Sequence, residues 1–233
     1  MIEKIKIKTG NPRFEDCDFK EFTFKPGLNI IVGPNGSGKS SLLDIIKSFE
    51  CLSNSFGENK QILPNNRIRK DLLKQEAEIE GCLCKTLEYS PQEYKESNGG
   101  EYLGSFINYM RSKFQSNGEG RIIYHQYFVE NVQKNHSFTE SELEFLSKEK
   151  DLKYSKDLLI IADEPENSMS IEAQIEMIEW FEKWCAACPT TLQVIIATHS
   201  IAAYMLNKNE KINLIETKKD WIQKIKEKLK SLL

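Results

Sequence analysis

No apolar run in the 233-residue chain approaches the roughly 18 residues that a membrane-spanning helix needs, so a membrane protein is not expected. The first residues, MIEKIKIKTG, alternate charge with isoleucine and lack the apolar block of a secretory signal, so a cytoplasmic location is expected. Neither sign of charge dominates: 32 Lys and Arg face 35 Asp and Glu, a formal net charge of −3. That balance excludes a polybasic nucleic-acid binder by net charge, while leaving room for local basic patches. No heptad pattern and no internal repeat persists, which excludes a coiled-coil arm or a solenoid. What remains is 39% hydrophobic and 29% charged residues, the balance of a globular domain long enough to bury a sizeable core.

Six cysteines, Cys17, Cys51, Cys82, Cys84, Cys185 and Cys188, stand in a chain too long for a disulfide-stapled scaffold. Cys82-Leu-Cys84 and Cys185-Ala-Ala-Cys188 invite a zinc or thioredoxin-like reading. A reactive thioredoxin-type cysteine sits at a helix N-terminus, whereas Cys185 falls at the end of an expected helix, which favours ordinary free thiols.

Alternation of Ile5 and Ile7 with Lys, and of Phe22 and Phe24 with polar residues, indicates strands ahead of the Pro26-Gly27 turn. Leu28 to Val32 reads as a buried strand and SLLDIIKSFE, directly after Ser40, as a buried helix. Between 51 and 115 the pattern is weaker. A charged helix-like piece spans Arg67 to Glu80, a strand is expected around Cys82 to Tyr89, and Asn98-Gly99-Gly100 is a break. A helix-like run carries Ile122, Ile123, Tyr127, Phe128 and Val132. Further on come an apolar strand, Leu158 to Ala162, and a helix burying Ile171, Ile175, Ile178, Phe181 and Trp184. Strands from Leu192 to Ala197 and around Ile212 to Ile215 follow. Apolar strands alternating with amphipathic helices predict an α/β fold with a mostly parallel sheet.

Gly33-Pro34-Asn35-Gly36-Ser37-Gly38-Lys39-Ser40 satisfies G-x-x-x-x-G-K-[ST] between a strand and a helix, the phosphate-loop pattern. Backbone N–H groups of such a loop and the helix N-terminus surround phosphate oxygens. Lys39 supplies a point charge to the β- and γ-phosphates, and the Ser40 hydroxyl is placed for Mg2+. Gly33 to Ser40, with the adjoining Ser41, are the candidate nucleotide-binding residues. A second element, Ala162-Asp163-Glu164-Pro165-Glu166, ends an apolar strand in carboxylates. Asp163 is placed to hold Mg2+ through water, and Glu164 to orient or deprotonate the attacking water.

Two further elements in the expected order make the chain resemble an ATP-binding-cassette ATPase. Ser116-Asn117-Gly118-Glu119-Gly120 occupies the place of the family signature, and Thr198-His199-Ser200, after the strand ending at Ala197, matches the switch histidine. Asn167-Ser168-Met169-Ser170 falls where the family has its dimer-contacting D-loop. The resemblance implies a P-loop fold of this type, with an N-terminal antiparallel β part and a helical signature subdomain. It covers an ATPase domain over 1–216, in which 51–120 is the lid and signature region, followed by an amphipathic helix over 217–233.

It also implies ATP and Mg2+ sandwiched in a homodimer. Glu164, His199 and Lys39 would be the catalytic groups of one subunit, while Ser116, Gly118 and Glu119 reach the nucleotide from the other. Ser40, Asp163 and Gln92 are the metal candidates, with Gln75 behind Gln92, and Arg13 or Phe14 is the candidate contact for adenine. Glu119 and Asn117 depart from the transporter signature, and Asp163-Glu164-Pro165-Glu166 is more similar to small prokaryotic SMC/RecF-like, defence-associated ATPases of the AAA family. Met169-Ser170 replaces the usual Leu-Asp. The expected function is an ATP-hydrolysing subunit that dimerises on ATP and controls an effector, a nuclease acting on DNA in antiphage defence or DNA repair. The alternatives are the nucleotide-binding subunit of a membrane transporter and a nucleotide-gated scaffold. The C-terminal stretch places Ile222, Ile225, Leu229 and Leu232 on one helical face among lysines, a helix expected to pack on its own domain.

Overall fold

Strict alternation along three adjacent strands organises the molecule. In β3 (Gly27–Val32), Leu28, Ile30 and Val32 point to one side of the sheet and Ile31 to the other. β6 (Tyr154–Asp163) splits Ile160 and Ala162 from Leu159 and Ile161, and β7 (Leu192–Thr198) splits Val194 and Ile196 from Ile195 and Ala197. Both faces of such strands must be covered, and helices do this on either side. The computed structural model describes residues 1–8, 10–50, 77–81, 83–88, 154–167, 169–187, 192–206 and 212–232, and elements are numbered within these.

Five parallel strands lie in the order β5-β6-β7-β3-β8, with β5 at Leu83–Glu88 and β8 at Asn213–Glu216. One face is covered by Leu42, Leu43, Ile45 and Ile46 of α1 (Lys39–Glu50) and by a three-stranded antiparallel sheet. That sheet has the order β2-β1-β4, from Glu21–Thr23, Ile2–Ile7 and Ala77–Gly81. The other face carries α2 (Ile171–Ala187), α3 (Ala202–Leu206) and α4 (Trp221–Leu232). In α2 the rings of Trp180, Phe181 and Trp184 cluster with centroids 5.2–6.5 Å apart. Phe181 and Trp184 are buried while Trp180 is partly so, and a fully buried side chain of the size of Phe181 contributes about 1.5–3 kcal/mol. Trp221, Ile222 and Ile225 pack α4 onto this core, as its apolar stripe predicts.

Three expectations are corrected. Residues 77–80, read as the end of a charged helix, form β4, because Ile79 pairs with Ile5 across the ladder and Ala77 is buried beneath it. The alternation Glu-Ile-Glu fits a strand with one wet face, and tertiary pairing decides over helix propensity. Ile171, placed on the buried stripe of α2, is 40% exposed; Ala173, Met177 and Cys185 are buried there beside Ile178, Phe181 and Trp184. Phe14, offered as an adenine contact, is wholly buried in a short 3-10 turn, Pro12–Phe14, and presents no ring face to a base. The helix-like run around 122–132 lies outside the described residues.

Two buried amides hold the turn between β2 and β3, and one of them, Gln193, also joins the two sheets. Gln193 accepts from Ile2 N–H (2.9 Å) and donates to Ile2 C=O (2.8 Å) and Lys25 C=O (3.0 Å). Asn29 accepts from Lys25 N–H (2.8 Å) and donates to the Lys25, Gly27 and Val194 carbonyls. Gln193→Leu strands buried backbone groups of β1, and each such group costs about 1–3 kcal/mol. It is expected to lower the melting temperature by roughly 6–12 °C in a thermal melt; an unchanged melt contradicts this role.

Candidate nucleotide site

The parallel register sets the site. Val32 at the end of β3 lies opposite Thr198 of β7, and Asp163 at the end of β6 lies opposite Ala197. The phosphate-loop sequence, the carboxylates and His199 therefore leave the same edge of the sheet, at the carboxyl ends where open α/β sheets bind ligands.

From Val32 the chain turns through Gly33 to Gly38 into α1. Gly38 has φ +90°, and a side chain there would press on the Phe14 ring and face a left-handed backbone. At Gly33 a Cβ would collide with the Thr217 hydroxyl. Ser37 Oγ donates to Pro34 C=O (2.7 Å) and shares a hydrogen bond with Thr217 Oγ1 (2.5 Å). Thr217 N–H donates to Val32 C=O (2.9 Å), so the residue after β8 braces the loop from below. Lys39 Nζ donates to the Gly33 and Pro34 carbonyls at 3.1 and 3.0 Å. Burial lowers the Lys39 pKa, and the charges of Glu164, Asp163 and Glu166 oppose that shift. Asn35, Gly36 and Ser40 form the exposed rim, and Arg13 pairs with Asp44 at 2.7 Å beside it.

On the opposing side, Glu164 has φ +44°, an unusual conformation for a residue with a side chain, fixed by its N–H bonding Ala197 C=O (2.8 Å). This aims Glu164 Oε1 at His199 Nε2, 2.8 Å away, with both side chains more than a third exposed. Glu166 is buried. Its Oε1 accepts from the Thr198 hydroxyl and from His199 N–H (3.2 Å), and burial raises its pKa ahead of the hydrogen bonds that lower it. Ser200 Oγ donates to Gln174 Oε1 (2.6 Å), and Gln174 Nε2 donates to Met169 C=O (3.0 Å), linking the segment after β7 to the turn before α2.

The structure thus brings Gly33–Ser41, Asp163, Glu164 and His199 to one edge. Gln92, Gln75, Ser116, Asn117, Gly118 and Glu119 lie outside the described residues, as do Ser168, Cys51, Cys82 and Cys188. Cys17 and Cys185 are buried, and no metal-ligand cluster occurs among the described residues. Sequence reasoning missed Thr217 and assigned no role to Glu166, Thr198 or Gln174. The only signal for Thr217 is a small hydroxyl directly after a strand.

Because the folded-state pKa of Glu166 is raised, the folded protein holds its proton over a range where the unfolded chain has released it. The resulting stability is complete in acid and is lost as pH rises through the raised value. Glu166→Gln keeps the acceptor and carries no charge, so its stability relative to wild type is expected to increase between about pH 4 and about pH 8. Urea midpoints at the two pH values read this directly, and a pH-independent difference contradicts it.

The AAA domain family matches residues 13–233. No curated protein matches the chain. Similar solved structures include a dimeric post-hydrolysis state of the ATP-binding cassette MJ0796 bound to ADP and Pi, 16% identical, covering 94% of this chain and 97% of that one with TM-score 0.45. A nucleotide-free cassette from an ABC transporter is 16% identical over 93% of this chain and 88% of that one, TM-score 0.40. Stu0660 of Streptococcus thermophilus is 10% identical over 91% and 74%, TM-score 0.44. With a phosphate-loop sequence and a carboxylate–histidine pair on adjacent parallel strand ends, and a family match over nearly its whole length, the chain belongs to the AAA domain family.

Proposed function

We propose that Lys39, Glu164 and His199 carry ATP hydrolysis, and that ATP joins two copies of the chain to control a nuclease effector acting on DNA. The observation that carries the chemistry is the Glu164 Oε1–His199 Nε2 contact of 2.8 Å, beside the loop that holds Lys39. Lys39, now spent on the Gly33 and Pro34 carbonyls, gains phosphate oxygens as better partners. A water polarised by Glu164 attacks the γ-phosphorus, its proton passes to the carboxylate, and the bond to the ADP oxygen breaks as the new P–O bond forms. His199 holds the γ-phosphate and senses its loss. Ser40 and Asp163 are both exposed oxygen donors, a set that suits Mg2+, which would neutralise phosphate charge there.

Dimerisation is supported by an apolar fringe beside this edge. Ile171, Ile201 and Met205 are the exposed large hydrophobics among the described residues, and they flank the D-loop and switch segments. Ser116, Gly118 and Glu119 of a second copy would complete each site in this reading. The nuclease effector, and its place in antiphage defence or DNA repair, rests on the resemblance of Asp163-Glu164-Pro165-Glu166 and the Ser116–Gly120 signature to SMC/RecF-like ATPases. Among the described residues no helix is long and apolar enough to cross a membrane.

Glu164→Gln is expected to lower turnover about a hundredfold or more, to retain ATP binding, and to accumulate as a dimer with ATP and Mg2+ in light scattering. A variant that hydrolyses ATP like wild type removes the assignment of Glu164. Purified from its native host in the ATP-locked state, the same variant is expected to bring a nuclease or DNA. A multi-span membrane protein in that position would replace the effector reading with a transporter one.

A further inference from the structure

We propose that Glu166 is the positioning residue for His199, acting through the end of β7 and not on the nucleotide. The inference rests on the reading above, in which His199 holds the γ-phosphate. Four hydrogen bonds join the turn after β6 to the end of β7 and the residue that follows it. Glu164 N–H meets Ala197 C=O at 2.8 Å, and Glu164 Oε1 meets His199 Nε2 at 2.8 Å. Between them, the single oxygen Oε1 of Glu166 receives both the Thr198 hydroxyl and His199 N–H.

The surroundings of this carboxylate point to a specific task. Glu166 is 6% exposed, and its Oε2 is buried with no hydrogen-bond partner among the described residues. A buried carboxylate with one oxygen unpartnered costs stability that an apolar side chain of similar size would not. What the carboxylate adds is a fixed acceptor for two donors on consecutive residues of β7 and the switch segment. The His199 ring needs such an anchor, because its side chain is 35% exposed and has little packing to hold it. Fixing His199 N–H restricts the backbone at that residue and hence the direction of its Cα–Cβ bond. Glu164 then sets the ring from the other end.

Glu166 also faces the second segment that matters. Its backbone carbonyl accepts from Met169 N–H at 2.9 Å, at the D-loop position. One residue therefore holds the D-loop with its main chain and the switch histidine with its side chain. Burial keeps it from touching the nucleotide, so its influence on hydrolysis passes through His199.

The test measures steady-state ATP hydrolysis and ATP affinity for Glu166→Ala and Glu166→Gln, each in the wild-type and the His199→Ala background. Glu166→Ala is expected to lower kcat about tenfold while KM and affinity stay within about twofold. Glu166→Gln keeps the acceptor oxygen and is expected to stay within about threefold of wild type. In the His199→Ala background, Glu166→Ala is expected to add less than about a twofold further loss. If Glu166→Ala does not fold, Thr198→Val gives the same readout: it takes one of the two donors from Glu166, along with the acceptor of Ser200 N–H (2.8 Å), and keeps the side-chain shape. An equal loss from Glu166→Ala with and without His199, or no loss in either, overturns the inference while leaving the His199 assignment intact. A His199→Ala protein that turns over like wild type overturns both.

Discussion

Everything at the candidate site depends on one register: β3 and β6 lie parallel on either side of β7, with Val32 opposite Thr198 and Asp163 opposite Ala197. Three segments distant in sequence thereby leave the sheet at the same level. A slip of one residue in any of them would turn its buried side chains to the opposite face and withdraw its polar end from the site. The register is held by apolar alternation on both faces, with Ile30, Ile160, Val194 and Ile196 on one side and Ile31, Leu159, Ile161 and Ile195 on the other. The core and the site are therefore one structure, and the packing that stabilises the sheet also sets the geometry of the chemistry.

Around this edge the polar groups are over-determined. Glu164 keeps a left-handed backbone because its N–H and its carboxylate are both engaged by the end of β7. The phosphate loop is closed by its own side chains, Ser37 onto Pro34 and Lys39 onto Gly33 and Pro34, and braced by Thr217. Thr217 C=O in turn accepts from Asp18 N–H at 3.0 Å, and Asp18 pairs with Lys218 at 3.2 Å. The loop is consequently tied both to the N-terminal segment and to the stretch leading into α4. Such bracing leaves the loop backbone little freedom to rearrange.

Much of this was legible in the sequence, for a physical reason. Strands buried on both faces read as apolar runs, and the phosphate loop needs glycine, lysine and hydroxyl at fixed spacing whatever surrounds it. Asp163, Glu164 and His199 could be placed because Asp163 ends such a strand and Glu164 and His199 each directly follow one. Residues whose roles come from distant contacts were not legible. The Glu-Ile-Glu of β4 fits a helix or a strand until Ile5 is seen across from Ile79. Phe14 looks like a surface aromatic until it is found beneath Gly38. Glu166 reads as one more acidic residue in a turn, because nothing local says that Thr198 and His199 will meet its carboxylate.

In the proposed function, ATP is hydrolysed at a site shared by two copies of the chain, with the edge formed by β3, β6 and β7 as one half. Specific ATPase activity measured against protein concentration tests it most directly, because a half-site in a lone subunit is incomplete. The account predicts activity per chain that rises with concentration and levels off as dimers form. Activity per chain that is constant down to concentrations where the protein is monomeric, or absent throughout the range, would contradict it.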